Sequence, residues 1–241
     1  MGLNKREYLL TRSKRRSIAV YVRDGRIEVR APLRMPVREI ESFVRSKERW
    51  IEDRLTLLKD LEERRAAFTL DYGSMALYRG KEYPIAAKDG STAEFDLASE
   101  RFLLPPGLTP EGIRTAMTGL YRKLAADYVS EKLDFFQDNM GVYIAGFGIT
   151  NAEKRWGSMN SRKKVNFTWR LIMAPDDVID FIVVHELAHI TEMNHSNRFR
   201  AIVEGVLPDW KERSRRLKEF AGRLAGENWT ISRTGAINGE G

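Results

Sequence analysis

Alternating apolar and polar residues near the N-terminus predict a β-hairpin. Residues 18–22 and 27–29 each place apolar side chains at every second position, and Asp24-Gly25 separates the two runs. An Asp-Gly pair between alternating segments is typical of a two-residue hairpin turn. The sequence therefore predicts two antiparallel strands joined at Asp24-Gly25.

Helical periodicity follows the hairpin. From Pro36 to about residue 65, apolar residues recur mostly at three- and four-residue spacings, which predicts a helix. A second, longer helix is predicted to begin with Thr109 as its N-cap and Pro110 at its first position, and to end near Asn139.

The remaining segments are shorter. Glycine and proline punctuate residues 67–105, which predicts several short strands. A strand near 142–147, a hairpin across 155–172 and a helix over 175–191 should follow, with two more helices ending near Leu224. Helices and strands in this order predict an α+β fold.

We expect three parts along the chain. Residues 1–106 would form a basic segment of hairpin, helix and short strands, and residues 107–225 a catalytic domain. Residues 226–241 are rich in Gly, Asn, Ser and Thr and are predicted to be a disordered tail.

Composition restricts the possible chemistry. The chain has no cysteine, so disulfides, thiolate metal sites and cysteine nucleophiles are excluded, and any metal must have nitrogen or oxygen ligands. No segment has the pattern of a signal peptide or approaches the roughly 20 apolar residues of a membrane span. A cytoplasmic protein that does not contact a membrane is the expectation.

Positive charge is concentrated at the N-terminus. Residues 1–38 contain eleven basic and three acidic residues, whereas the net charge of the whole chain is +7. A basic segment of this kind is one pattern that binds nucleic acid. An exposed strand face whose arginines aid solubility gives the same pattern, and we favour this second interpretation slightly.

Candidate chemistry lies in the helix predicted over residues 175–191. His185 and His189 are four residues apart, so both imidazoles leave the same helix face and can meet one ion. Glu186 is turned about 100° from His185, which places its carboxylate beside such an ion as a base for water. His195 can join them only if the chain turns back after His189, and Asn194 is the residue there that best tolerates a left-handed conformation.

The surroundings of these residues favour a metal site over a chance motif. All three histidines of the chain fall within residues 185–195, and the helix is apolar around most of its surface. A helix of this kind is normally buried. Because imidazoles and a carboxylate are costly to bury without partners, a metal ion is the expected partner.

Residues 155–210, which begin RWGSMNSRKKVNFTW and include IVVHELAHITEMNHS, resemble the YgjP-like metallopeptidase family, itself related to SprT-like and other zincin peptidases. The resemblance implies a zincin-like domain with a Zn²⁺ ion held by His185, His189 and His195 and with Glu186 as the catalytic carboxylate. Met159 and Arg200 stand where the family often has Cys and Trp.

The resemblance also suggests how a peptide or protein substrate would bind. In zincins the strand before the metal helix lies along the cleft, and here residues 165–171 alternate, with Val165 and Phe167 towards the core and Asn166 and Thr168 outward. Asn166 and Thr168 are therefore candidate substrate-binding residues, together with Arg155 and Arg198. The candidates for stabilising an oxyanion are Arg155, Asn166, Asn194 and Arg198, with Arg155 preferred.

Two other functions stay open. Zinc endoribonucleases that mature ribosomal RNA share the His-x3-His-x5-His spacing, and the basic N-terminus fits such a metal-dependent nuclease. A non-catalytic, zinc-stapled nucleic-acid-binding module is less favoured, because a structural zinc site would need a fourth protein ligand. Glu186 favours the zinc metallopeptidase, since a carboxylate base beside the metal is the peptidase arrangement.

Overall fold

The predicted hairpin belongs to a three-stranded sheet. In the computed structural model, which describes residues 8–230, β2 (Ala19–Arg23) and β3 (Arg26–Pro32) pair antiparallel across Asp24-Gly25, as predicted. A strand that the pattern did not predict, β1 (Leu9–Ser13), pairs parallel with the other edge of β3, giving the order β1-β3-β2.

Two helices cover one face of this sheet where the periodicity predicted a single helix. Helix α1 (Val37–Ser46) and helix α2 (Glu48–Ala67) are separated by Lys47, whose φ of −106° and ψ of 7° interrupt the helical path. Ile40 of α1 and Ile51 of α2 are buried against the apolar side of β2 and β3. The break lets two differently directed helices share one core.

Some of the N-terminal basic residues have structural partners. The Arg12 guanidinium donates hydrogen bonds to the carbonyl oxygens of Pro32, Leu33 and Met35, the last at 2.7 Å, and so fixes the chain that leaves β3. Arg30 forms an ion pair with Glu28 at 2.7 Å. Part of the positive charge therefore stabilises this sheet.

The chain divides into two compact units. The first extends to Phe68 and includes Ala225–Asn228, and the second comprises Thr69–Leu224 and the residues from Trp229. The sequence placed a boundary between residues 106 and 107 instead. Residues 69–106 pack in the larger unit, where the Tyr121 hydroxyl donates to the carbonyl oxygen of Leu77 at 2.6 Å.

Short strands occupy residues 67–105, as predicted. They are β4 (Met75–Tyr78), β5 (Lys81–Ala87), β6 (Glu94–Asp96) and β7 (Arg101–Leu104), in the sheet order β4-β5-β7-β6. Helix α3 (Pro110–Met140) follows. Its N-cap is Thr109, whose side chain accepts a hydrogen bond from the Gly112 N–H.

A third sheet precedes the helix that carries the histidines. It consists of β8 (Gly146–Thr150), β9 (Gly157–Met159) and β10 (Lys164–Thr168) in the order β8-β10-β9. The strand alternation predicted as far as residue 171 stops at Thr168, because Trp169–Met173 form a 3-10 helix in which Leu171, Ile172 and Met173 are all buried.

Helix α4 (Asp176–Ala188) lies at the centre of the larger unit. It packs against α3, β9, α5 (Asn197–Val206) and α6 (Trp210–Leu224). Nine of its thirteen residues are buried, which agrees with the apolar pattern around its surface. Helices and sheets are segregated along the chain, and the fold class is α+β, as predicted.

The segment after α6 is partly ordered by aromatic contacts. Trp229 is 4% exposed and packs against the rings of Tyr121 and Trp169 at centroid distances of 5.5 and 5.6 Å. The predicted disordered tail begins at residue 226, so its first residues differ from that expectation, and residues 231–241 lie outside the described residues. No helix in the described part of the chain is long and apolar enough to cross a membrane.

The turn between β4 and β5 fixes the start of α4. Arg79 forms a two-pronged ion pair with Asp176 at 2.6 and 2.7 Å, and the Gly80 N–H donates to the Met173 carbonyl oxygen at 3.0 Å. Gly80 has a φ of +83°, and a Cβ there would lie 2.9–3.1 Å from atoms of Pro175, the N-cap of α4. Glycine is required here for both reasons.

We expect Gly80→Ala to destabilise the protein more than an alanine at an unobstructed glycine. Gly73 is the matched control, because its φ is +89° but a Cβ there meets no atom within 4 Å. Gly73→Ala should cost about 1–2 kcal/mol for the left-handed backbone. Gly80→Ala should lower the free energy of unfolding by about 1–3 kcal/mol more, because of the clash with Pro175. Urea unfolding measures the difference, and equal losses would show that the contact with Pro175 does not matter.

Candidate metal centre

Two of the three histidines leave the C-terminal end of α4. His185 lies in the last turn of the helix, and His189 is its C-cap residue. Their rings are 5.1 Å apart between centroids and nearly perpendicular. The four-residue spacing has the effect expected from the sequence, since both imidazoles lie on the same side of the helix.

The third histidine is returned to this face by a tight reversal of the chain. Helix α4 ends in successive turns. In these turns the Ile190 N–H donates to the Leu187 carbonyl oxygen, and the N–H groups of Thr191 and Glu192 donate to that of Ala188. The reversal does not use the predicted left-handed residue, because Asn194 is not among the residues with positive φ. Ser196 then caps α5 by accepting a hydrogen bond from the Phe199 N–H at 3.3 Å.

The three imidazoles converge closely enough to share one cation. His195 Nε2 lies 3.0 Å from His185 Nε2, and each histidine offers a nitrogen within 4.8 Å of the other two. Tetrahedral zinc with Zn–N bonds of about 2.0–2.1 Å needs ligand nitrogens about 3.3 Å apart. The pair at 3.0 Å is close to this spacing and the third nitrogen lies within 4.8 Å of both, so the three donors could hold one divalent metal ion.

Phe199 holds the three rings together. Its ring centroid lies 4.9 Å from that of His185, 4.6 Å from that of His189 and 4.8 Å from that of His195, and Phe199 itself is only 3% exposed. A rigid phenyl ring in contact with all three imidazoles limits their rotation. The sequence analysis missed this residue because nothing local distinguishes it from other core aromatics.

The protonation of the histidines also suits metal binding. Burial, together with the nearby His189 and His195, lowers the pKa of His185 to about 4. Burial also lowers the pKa of His189, whose Nδ1 lies 3.1 Å from the Glu192 carbonyl oxygen. With Nδ1–H donating to that carbonyl, Nε2 of His189 keeps its lone pair free for a metal ion.

Glu186 is buried beside this cluster, on the side of β9. It is 5% exposed, and burial raises its pKa to about 7, opposed by a backbone hydrogen bond from Met159 and by the positive charge of Arg155. A Cβ at Gly157 would lie 2.5–2.7 Å from the Glu186 Oε1, Cγ and Cδ atoms. The strand can approach the carboxylate this closely only with glycine at position 157.

Sequence analysis did not single out Gly157 or the backbone of Met159. A glycine within a strand pattern often marks a place where another group approaches the backbone closely. Gly157 follows Arg155-Trp156, in the part of the chain on which the family resemblance rests. That signal was available, but it did not reveal which group approaches.

The candidate substrate-binding residues have different surroundings. Arg155 is exposed and close enough to Glu186 to affect its pKa, whereas Arg198 is exposed on α5. Asn166 alternates with Phe167 along β10, and its Oδ1 is directed towards Gly148 of β8. Thr168 is 2% exposed, and its hydroxyl donates to the Ala152 carbonyl oxygen at 2.7 Å.

Neither Asn166 nor Thr168 is brought to the histidines. Gly157 of β9 pairs with Phe167 and faces Glu186, so the residues before and after Phe167 point to the opposite side of the sheet. The prediction that β10 lies open along the cleft is also wrong. β10 is the central strand of its sheet, paired with β8 and β9, and the edge strand near Glu186 is β9.

Three large or charged residues near the site in the sequence have ordinary surroundings. Trp156 packs against Phe220 of α6, with ring centroids 5.5 Å apart. Trp210 is half-buried at the start of α6, and Glu204 is exposed on α5. Exposure of Glu204 agrees with a solvated helix charge.

Comparisons with known proteins bear on this arrangement. The sequence model of the YgjP-like metallopeptidase domain matches residues 16–220, which include the three histidines and Glu186. A search of curated proteins found no match.

Two solved structures of metallopeptidase zymogens show limited similarity to the chain. Abylysin of Pyrococcus abyssi is 19% identical with a TM-score of 0.37, over 42% of this chain and 97% of abylysin. Jannalysin of Methanocaldococcus jannaschii is 14% identical with a TM-score of 0.35, over 38% of this chain and 95% of jannalysin.

We expect Phe199→Ala to weaken binding of a divalent cation by about 10- to 100-fold, the range seen when groups that orient metal ligands are removed. The imidazoles would gain rotational freedom that the phenyl ring now restricts. Competition with a chromophoric chelator measures the affinity. Phe220→Ala is the matched control, because Phe220 is a buried phenylalanine that packs on Trp156. Equal affinities in the two variants would contradict the orienting role of Phe199.

Proposed function

The chain belongs to the YgjP-like metallopeptidase family, and we propose that it is a zinc-dependent peptidase whose metal ion is held by His185, His189 and His195. The family supports a metal-dependent hydrolase of peptides or proteins. The choice of zinc rests on three imidazole donors, a set that suits zinc, with no carboxylate or thiolate in this group of described residues.

The observation that carries the proposal is the position of Glu186. Its carboxylate is buried one residue after His185 in α4 but is not part of the group of ligands. A protein with a purely structural metal would be expected to supply a fourth ligand. Three ligands with a buried carboxylate beside them support a catalytic centre instead.

Each group then has a distinct role in hydrolysis. Zinc, when bound, lowers the pKa of its water and polarises the scissile carbonyl group. Glu186 would accept a proton from the attacking water at its carboxylate and deliver it to the amine that leaves when the C–N bond breaks. Arg155 is the nearest candidate for stabilising negative charge on the substrate oxygen, since its charge already acts on the Glu186 carboxylate.

We assign the substrate strand to β9. It pairs with β10 on one side only, and its residues Gly157 and Met159 face Glu186. An extended peptide that pairs with the outer edge of β9 would run past the carboxylate. This assignment replaces the central strand β10, whose backbone hydrogen bonds are already satisfied on both sides.

Glu186→Gln should retain the metal ion and lose hydrolysis of unfolded or short peptides by about 10²- to 10⁴-fold, because the amide cannot accept the proton. His189→Ala should lose both metal and activity. Metal content by atomic absorption and peptide cleavage by mass spectrometry distinguish these phenotypes. Undiminished turnover in Glu186→Gln would remove this residue from its role, and RNA cleavage that depends on Glu186 without peptide cleavage would favour the nuclease.

Gly157→Ala should reproduce the phenotype of Glu186→Gln more mildly. The added methyl group would overlap the carboxylate and displace it, and misplacement by about 1 Å can cost about 100-fold in rate. Metal content should not change. Gly148→Ala in β8 is the control, because its Cβ would meet only the movable Oδ1 of Asn166, at 3.1 Å. Equal activity in the two alanine variants would show that β9 does not position Glu186.

A further inference from the structure

The smaller unit has an open strand edge. Among the strands of residues 8–230, whose order in this sheet is β1-β3-β2, strand β2 pairs with β3 on one side only. Arg23 and Arg26 flank the two-residue turn, so this pair exchanges hydrogen bonds, as do the pairs at Tyr21 and Ala19 further along β2. Between them, Val20 and Val22 direct their N–H and C=O groups away from β3, to the open side.

This edge forms one wall of a groove. The groove has a volume of about 400 Å³, and its lining residues are Val20, Tyr21, Val22, Arg23, Trp50 and Arg54. Trp50 and Arg54 come from α2 and are one helical turn apart, so they lie on the same side of that helix. Open backbone groups therefore face a wall of side chains rather than bulk solvent alone.

An exposed strand edge is usually a liability, because it can pair with any other extended chain. Charges and prolines that normally blunt such an edge are absent from the interior of β2, whose sequence is AVYVR. Trp50 beside it is 47% exposed, although a large aromatic ring gains stability when it is covered. These features are typical of a surface that receives a partner strand.

The charges of the groove select the kind of partner. Its lining includes two arginines and no acidic residue. Neither Arg23 nor Arg54 has an ion pair with a carboxylate within residues 8–230, whereas Arg30 nearby is paired with Glu28. The Arg23 guanidinium lies 5.1 Å from the centre of the Tyr21 ring, which holds it along the strand. Acidic side chains on the incoming strand would complement both guanidinium groups.

We propose that this β2–α2 groove binds an extended, acidic peptide segment as an additional strand of the sheet. The outward N–H and C=O groups of Val20 and Val22 pair with the peptide backbone, Trp50 covers its apolar side chains, and Arg23 and Arg54 bind its carboxylates. A single-stranded nucleic acid fits less well, because a phosphodiester backbone has no donor for the outward carbonyl oxygens. The proposal does not depend on the hydrolytic activity of the other unit.

Fluorescence polarisation with a labelled peptide tests this binding. The probe is an eight-residue peptide in which pairs of Glu alternate with pairs of Val, so that each face of the bound strand carries both kinds of side chain. The protein is the full chain carrying Glu186→Gln, so that the probe is not cleaved. Trp50→Ala and Arg54→Glu should each weaken binding by about tenfold or more. Arg49→Glu is the matched control, because Arg49 is an exposed residue of α2 with the same charge that does not line the groove.

Variants of the probe test the backbone pairing. A peptide with N-methyl groups on alternate residues cannot donate along one edge, and one of its two registers of methylation should abolish binding. Replacing Glu by Lys in the probe should do the same. Any of three results would overturn the proposal. The first is equal binding of the probe by Arg54→Glu and Arg49→Glu. The second is an eight-nucleotide oligothymidine that binds through Trp50 and Arg54 while the peptide does not, and the third is a dimer of the chain in sedimentation that Trp50→Ala dissociates.

Discussion

The burial of polar groups on an otherwise apolar helix is the constraint on which this site depends. Helix α4 is packed on several sides by other elements, and Glu186 is 5% exposed among them. A buried carboxylate and the half-buried imidazoles of His185 and His189 lose hydration and must find partners inside the protein. Two neighbouring segments supply them: the turn before α5 returns His195 and α5 places Phe199 against the imidazoles, while β9 brings a backbone N–H to the carboxylate. The arrangement of the site therefore follows from the partners that compensate these polar groups for their lost hydration.

The parts that orient the site are less conspicuous than the parts that perform chemistry. Phe199 contacts all three imidazole rings, and Gly157 lets β9 lie against Glu186. Further out, Gly80 and Arg79 fix the first turn of α4 through Pro175 and Asp176. None of these residues would bind a metal ion or move a proton. They restrict the few positions that the reacting groups can occupy, which is the basis of preorganisation.

The open edges of β9 and β2 would each bind an extended chain, and both would do so by backbone hydrogen bonding. The edge of β9 lies next to the Glu186 carboxylate, and the edge of β2 lies in the groove with Trp50 and Arg54. In each case unpaired backbone groups supply affinity for an extended chain, while side chains beside the edge supply selectivity.

The sequence by itself determined the features that depend on near neighbours in the chain. These are the Asp24-Gly25 hairpin, the Thr109 cap of α3, the common face of His185 and His189, and the apolar surface that buries α4. Local periodicity and turn chemistry fix such features, because the interacting atoms are a few residues apart. Only the tertiary structure decided the contacts between distant segments: β1 beside β3, the central place of β10, the burial of Trp229, and the approach of Gly157 to Glu186. Alternation predicts which residues share a face of a strand, but it does not predict which strand or helix packs against that face.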